Sequence, residues 1–378
     1  MKVTFPHMGN AWIVIQALFE ALDVEVVVPP PSGKGTLNLG TKLAPESACL
    51  PLKINLGNYI EAAAKGADTI VITGGSGPCR FGFYGESERQ ILADAGYDFE
   101  VVILEPPGGS LWGLARRIRY LAGSRNSWAR IVRAVRFAYE KSVVLDQVED
   151  LIHQARPRFS DAAGAEKLYA IARQHLIESA SYESLHRVPV RLAQNIRDSQ
   201  GDANGSGGKE PLRIGIVGEI YTILEPFASL DVEQQLGALG AEVDRSIYLS
   251  GWVGQHIFRG LAQGYRPLRV YSRLAKPYLE HMVGGHGLET VGAAVSFARR
   301  GFDGILQLLP LGCMPEIVAA GILPRIQADF SIPIMTLTLD EHTGRAGLQT
   351  RLEAFVDLLE RRKSGRLKRG SVLSVAGK

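Results

Sequence analysis

Over the first hundred residues, short β-branched runs alternate with stretches whose apolar residues recur at helical spacing. Residues 3–5 predict a strand, followed by a turn at Pro6-His7-Met8-Gly9-Asn10 and a helix over 11–21. A second strand is predicted over 24–28 and is stopped by Pro29-Pro30-Pro31. A helix follows Cys49, a strand spans 69–73, a helix begins near Glu86, and 100–104 is a further strand. Such alternation predicts a parallel, doubly wound sheet. From 111 to about 197 no strand pattern occurs, and breaks at Ala122-Gly123-Ser124 and Arg156-Pro157 divide the stretch into three or so helices. Residues 198–211 are rich in Gly, Ser, Asp and Asn and predict a flexible polar linker. The alternation then resumes, with strands over 213–217, 242–247, 304–309 and 334–339. Helices are expected over 232–239, 268–283 with a break near Pro277, 288–300 and 349–361. The expected fold class is α/β: two doubly wound parallel-sheet domains with a helical subdomain and a flexible linker. The divisions fall at 1–107 (N-terminal α/β domain), 108–197 (helical subdomain), 198–211 (linker) and 212–378 (C-terminal α/β domain with a basic tail).

Composition narrows the class. Apolar residues make up 46% and charged residues 21% of the 378, as in a globular protein with a sizeable core. No run reaches the 18 or so apolar residues of a membrane helix, and Gln16, Glu20 and Asp23 interrupt the early apolar stretch, so no secretory signal is read. The expected location is the reducing cytoplasm. A net charge of +3 does not by itself imply nucleic acid, and the basic end from Arg361 to Arg369 reads as a frayed, solvated terminus. Arg116, Arg117, Arg119, Arg125, Arg130, Arg133 and Arg136 fall in a stretch without an acid. They read as solvated helix faces, or as a patch that receives CoA phosphates or an acidic partner.

All three cysteines lie in turns rich in Gly and Pro. Cys49 is in Ala44-Pro45-Glu46-Ser47-Ala48-Cys49-Leu50-Pro51, Cys79 in Gly74-Gly75-Ser76-Gly77-Pro78-Cys79-Arg80, and Cys313 in Pro310-Leu311-Gly312-Cys313-Met314-Pro315-Glu316. Cys79 and Cys313 closely follow predicted buried strands, where the loops of open α/β sheets bind ligands. Three soft sulfur donors on such loops suit a metal or iron–sulfur site if the fold brings them together. Unrelated thiols and a catalytic thiol remain open alternatives. The odd count argues against a disulfide, and the lack of tight ligand pairs argues against structural zinc. The halves also echo each other: Gly66, Asp68 and Cys79 around one strand parallel Gly301, Asp303 and Cys313 around another. In both, a helix ends at Gly, Asp enters the strand, and Cys sits beyond it.

Several segments resemble one family. They are Pro45-Glu46-Ser47-Ala48-Cys49-Leu50-Pro51-Leu52-Lys53, Gly77-Pro78-Cys79-Arg80-Phe81-Gly82-Phe83-Tyr84 and Val217-Gly218-Glu219-Ile220-Tyr221. With them go Gly284-Gly285-His286-Gly287, Leu311-Gly312-Cys313-Met314-Pro315-Glu316 and Asp340-Glu341-His342-Thr343-Gly344, followed by Thr350-Arg351-Leu352-Glu353-Ala354-Phe355. Together they resemble the 2-hydroxyacyl-CoA dehydratase and benzoyl-CoA reductase superfamily, most closely its acyl-CoA dehydratase activase-related branch. The resemblance implies repeated α/β domains and a 4Fe–4S cluster held by Cys49, Cys79 and Cys313. It also implies low-potential electrons from an ATP-dependent activase and radical dehydration or reduction of a CoA thioester or related substrate. The chain would then be a lyase or reductase component in a homo- or hetero-oligomer. Pro31-Ser32-Gly33-Lys34-Gly35-Thr36 lacks the glycine and Lys-Ser/Thr pattern of a phosphate loop, so a partner would handle ATP. A non-redox scaffold or small-ligand-binding subunit of an activase complex is the alternative, and a self-sufficient dehydratase a third.

Around such a cluster, Glu46, Ser76, Arg80 and Glu316 are expected nearby, the carboxylates and Ser76 as candidates for the open iron and Arg80 as a counter-charge. Glu219 and Tyr221, just past a strand, read as acid/base or orienting groups, or as caps of their loop. His342 also follows a strand and is a third candidate. His286 reads as a turn or cap residue. Helix N-termini after Cys49 and Cys313, with Pro51 and Pro315 in their first turns, are expected to lower the thiol pKa values.

Overall fold

Eight strands form where the β-branched runs were expected, and they sort into two sheets built to one plan. The computed structural model describes residues 1–73, 80–104, 111–159, 161–200, 210–258 and 269–375. The first sheet contains β1 (Lys2–Thr4), β2 (Glu25–Val26), β3 (Thr69–Ile72) and β4 (Glu100–Ile103) in the order β2-β1-β3-β4, all parallel. The second contains β5 (Leu212–Gly218), β6 (Ala241–Arg245), β7 (Gly304–Pro310) and β8 (Ile334–Leu339) in the order β6-β5-β7-β8, again all parallel. This is the two-sheet α/β architecture read from the sequence.

The echo between the halves is structural. Asp68 accepts the Lys2 backbone N–H at 2.7 Å, and Asp303 accepts that of Arg213 at 2.9 Å. Each aspartate enters the third strand of its sheet and brackets the start of the first. In both sheets the order reverses beside β1 or β5, which places a ligand crevice between the loops after β1 and β3, and between those after β5 and β7.

Helices cover the sheets. In the first half they are α1 (Ala11–Glu20), α2 (Lys34–Thr41), α3 (Leu50–Ala63) and α4 (Tyr84–Asp94). The middle holds α5 (Leu111–Ala122), α6 (Trp128–Ala155), α7 (Ala162–Glu178) and α8 (Tyr182–Gln200). The second half adds α9 (Ile220–Leu224), α10 (Pro226–Ser229), α11 (Val232–Ala238), α12 (Leu249–Trp252), α13 (Arg269–Ala275), α14 (Gly287–Arg299), α15 (Met314–Phe330) and α16 (Arg345–Val375). Among the described residues, no helix is long and apolar enough to cross a membrane.

Three expectations need correcting. The segment expected to be a linker from 198 is helical through Gln200, as an exposed continuation of α8, and 201–209 lie outside the described residues. The helix expected over 268–283 breaks near Pro277 as expected, but among the described residues only Arg269–Ala275 ahead of the break is helical, and the part after it is not. The end expected to fray is helical to Val375. The arginine-rich stretch is partly structural. Arg117, Arg119 and Arg130 hold the backbone carbonyls of Ile103, Asn126 and Ala21, whereas Arg116, Arg125, Arg133 and Arg136 are exposed.

The largest apolar cluster crosses from one sheet to the other. It joins Ala11, Leu50 and Ile54 of the first half to Val144, Val148 and Ile152 of α6 and to Ile216, Ile220 and Leu306 of the second. On α6, Asp146, Glu149 and Asp150 are also buried, and each has a partner. Asp146 accepts Ser250 N–H at 2.8 Å, Asp150 accepts the Tyr248 hydroxyl at 2.9 Å, and Glu149 pairs with Arg245 and accepts Asn10 Nδ2 at 2.7 Å. The row at spacing i, i+3, i+4 turns one helix face into a polar seam against β6 and the loop after it.

A second junction lies at the loop after β1. Glu225 accepts Gly9 N–H at 2.8 Å and Phe227 N–H at 3.2 Å, with His7 Nδ1 and Ser32 Oγ each at 3.4 Å. Gly9 has φ +61°, and a Cβ there would lie 1.9 Å from the Leu224 carbonyl oxygen. Gly96 has a similar φ of +84° with open space around it. We expect Gly9→Ala to cost at least about 3 kcal/mol, since left-handed strain is joined by a backbone clash, whereas Gly96→Ala costs only about 1 kcal/mol. Denaturant unfolding of the two variants measures the difference directly.

Candidate functional site

Parallel topology determines where the cysteines sit. A helix that returns the chain to the next parallel strand starts at the carboxyl edge of the sheet, and both described cysteines occupy such starts. Cys49 is the N-cap residue of α3 and Cys313 that of α15, each with Pro in the first turn. Cys49 is buried and Cys313 half-buried, and neither is in a disulfide. A methyl group placed on Gly312 would sit 3.2 Å from the Ser47 carbonyl oxygen, so the two cysteine turns meet across the junction of the lobes. Cys79 and Ser76 lie outside the described residues, as does the Arg80 side chain.

The groups around the two thiols are acidic and desolvated. Tyr84, at the start of α4, shares a hydrogen bond of 2.5 Å with Cys49 Sγ. Burial first, and then Cys49, Glu219 and Glu88, hold its phenol well above the ordinary range. The Cys313 thiol is likewise pushed up, first by burial, then by Glu219, Glu316 and Cys49. This corrects the expectation that its helix N-terminus would lower it: desolvation and neighbouring acids outweigh the few partial charges of a helix end.

Glu219 follows β5 and caps α9, accepting Tyr221 N–H at 2.9 Å and Thr222 N–H at 3.0 Å. The capping role weighed from the sequence is therefore present. Burial raises its carboxyl against those hydrogen bonds. Glu316, in the first turn of α15, accepts Thr290 Oγ1 and Gln307 Nε2, both at 2.9 Å, and burial lifts it to about 8. Tyr221 is buried, and its phenol is raised by burial and then by Glu225.

The remaining expected residues lie farther out. Glu46 is exposed, and its carbonyl oxygen accepts Lys53 Nζ at 3.0 Å. His342 is exposed in a turn where its N–H bonds Asp340 Oδ1 at 3.0 Å. From that same turn Glu341, not His342, reaches the other lobe and pairs with buried Lys53. His286 takes the N-cap position of α14, buried, with Nε2 accepting Trp252 Nε1–H at 2.9 Å.

Tyr84, Glu88 and Lys53 are the residues that sequence reasoning passed over. A signal for two of them was available: Tyr84, Glu88 and Leu92 recur at helical spacing on one face of α4, and an acid on such a face is buried. Asn55 Nδ2 and the Tyr59 hydroxyl bond the Glu88 carboxyl at 3.1 and 3.2 Å. Lys53 stood inside a quoted motif, but its partner comes from the far end of the chain.

Cys49 and Cys313 are donors of the soft kind that metals such as iron and zinc take. Burial, then Glu219, Glu316 and Cys49, raise the Cys313 thiol, and a bound cation would reverse that, since a coordinating thiol is deprotonated outright. Among the described residues, no group of three or more His, Cys, Asp or Glu residues forms a metal site, and Cys79 is not among those residues. Residues 7–72 match the family described as CoA enzyme activase uncharacterised domain. That segment runs from the loop after β1 through β3 and includes Cys49, and the match ties it to CoA enzyme activase-related proteins. The chain matches no curated protein.

Glu88 gives a pH prediction. Burial raises its carboxyl from 4.5 to about 8, so the folded protein retains a proton that the unfolded chain releases. Its contribution is full below about pH 4.5 and is lost as pH rises through 8, by up to about 1.4 kcal/mol per pH unit. Glu88→Gln, which imitates the protonated acid, is expected to flatten that decline in stability measured by denaturant unfolding across pH 5–8.

Proposed function

We propose that the protein is an iron–sulfur component of the 2-hydroxyacyl-CoA dehydratase type, with a 4Fe–4S cluster held by Cys49, Cys79 and Cys313. One observation carries this reading: Cys49 and Cys313 come from opposite lobes, cap helices that begin at the carboxyl edges of their sheets, and lie in turns that meet where Gly312 approaches the Ser47 carbonyl. The match over residues 7–72 supports it from the side of the sequence. A cluster bound there supplies one-electron transfer at low potential. Electrons would come from an ATP-dependent activase, and a CoA thioester or related substrate would undergo radical dehydration or reduction.

The chain's own residues prepare the pocket. With Cys49 bound as a thiolate, the Tyr84 hydroxyl would donate its hydrogen bond to the sulfur and moderate the ligand's charge. Glu219 is held by two backbone N–H groups with its carboxyl desolvated, which suits it to carry a proton at Oε1 or Oε2 beside Cys313. Glu316 is fixed by Thr290 and Gln307 beneath the Cys313 turn and supports the loop. The shared core behind the site excludes water. Exposed Arg116, Arg125, Arg133 and Arg136 offer counter-charge for CoA phosphates.

Protein purified without oxygen is expected to be brown, with about four irons per chain and a matching amount of sulfide. Cys49→Ser and Cys313→Ser should each lower the iron content and change the EPR spectrum of the reduced protein. Colourless, iron-free protein after anaerobic reconstitution would overturn the proposal and leave a non-redox binding subunit.

A further inference from the structure

Between the helical middle and the two sheets lies a cavity of about 240 Å³, lined almost wholly by carbon. Leu18 of α1, Ile118 of α5 and Val135 of α6 line it together with Ile220, Trp252 and Ile257 from the second half. Polar groups enter the lining beside the thiol pocket at Asn55, Tyr84, Glu219 and Tyr221, and elsewhere at Thr73 and at Tyr139 and Ser142 of α6. Tyr84 is the residue bonded to Cys49, and Glu219 the one that acts on Cys313. Among the described residues, no Lys, Arg or His lines the cavity.

We propose that this cavity binds an unbranched aliphatic acyl chain whose uncharged carbonyl head rests at Asn55, Tyr84 and Glu219. An apolar space is favourable for a hydrocarbon and leaves water few partners, and an engineered cavity of ~150 Å³ with similar walls takes up benzene. Scaled from six carbons in that volume, 240 Å³ holds roughly ten carbons. The polar end selects the head. A free carboxylate would meet an acidic side chain and no cation, whereas a thioester carbonyl needs only a hydrogen-bond donor, for which Asn55 Nδ2 has a second hydrogen beside the one it gives Glu88. The assignment deepens the proposed function by naming its substrate class: medium-chain acyl thioesters rather than short or charged ones. It rests on that reading only for the thioester's role as substrate.

Binding of straight-chain S-acyl-N-acetylcysteamine thioesters, from acetyl to tetradecanoyl, tests it on the full-length protein. Calorimetry, or quenching of Trp252 in the cavity wall, gives the affinities. Affinity should rise by up to about fourfold per methylene and level off near ten carbons. Val135→Phe, at a half-buried wall position, should move the plateau to shorter chains and leave the acetyl thioester unchanged. The matching free carboxylates should bind at least tenfold more weakly. Affinity independent of chain length, an unmoved plateau in Val135→Phe, or equal binding of the carboxylates would each overturn the assignment. Iron content is read separately: iron-free protein with the expected length profile would defeat the cluster and keep the chain site. Iron-loaded protein with a flat profile would do the reverse.

Discussion

Everything at the candidate site depends on how the two lobes are held in contact, and one buried point of that contact is a carboxylate. Glu225 belongs to the second lobe, yet it accepts the backbone N–H of Gly9 from the first. A charge removed from water is tolerated only where donors surround it, so this group specifies the docking geometry. Gly9 permits the approach because any side chain there would meet the Leu224 carbonyl. The seam along α6 repeats the device with Asp146, Glu149 and Asp150. Apolar burial brings the lobes together without direction, and these acids give the contact its register.

With the lobes in register, two crevices that each sheet would form on its own open towards each other. The loop after β1 touches the junction of α9 and α10 through Gly9 and Glu225, and the turns before α3 and α15 touch through Ser47 and Gly312. The apolar cavity lies alongside them, roofed by α5 and α6. Helices that read from the sequence as a separate subdomain thus form one wall of the cavity.

The architecture was largely legible in the chain, because β-branched runs bounded by Gly and Pro leave little choice of strand. Even the relation between the halves was visible, since Asp68 and Asp303 each have a local duty at the foot of a strand. Element ends were less so. The strand read over 24–28 shrinks to Glu25–Val26, since only a short stretch pairs with β1 ahead of the prolines. At the site, Cys49, Cys313, Glu219 and Glu316 were legible through their turns, but their mutual influence is a product of the tertiary fold. The thiol of Cys313 was expected to be acidified by its helix and is instead raised, because no sequence pattern reports how little water reaches it. Lys53 and Glu341 meet only after both sheets have formed.

The common plan of the sheets also shows where the halves part company. Cys49 caps the helix that leads into β3, and the residue at the equivalent place before β7 is His286. That imidazole is engaged by Trp252 and sealed from solvent. A duplicated fold with identical corners would offer matched donors from each side and close the space between them symmetrically. Replacing one corner by a ring committed elsewhere breaks the twofold balance, so the pocket has a front and a back, and whatever enters it has one orientation to adopt.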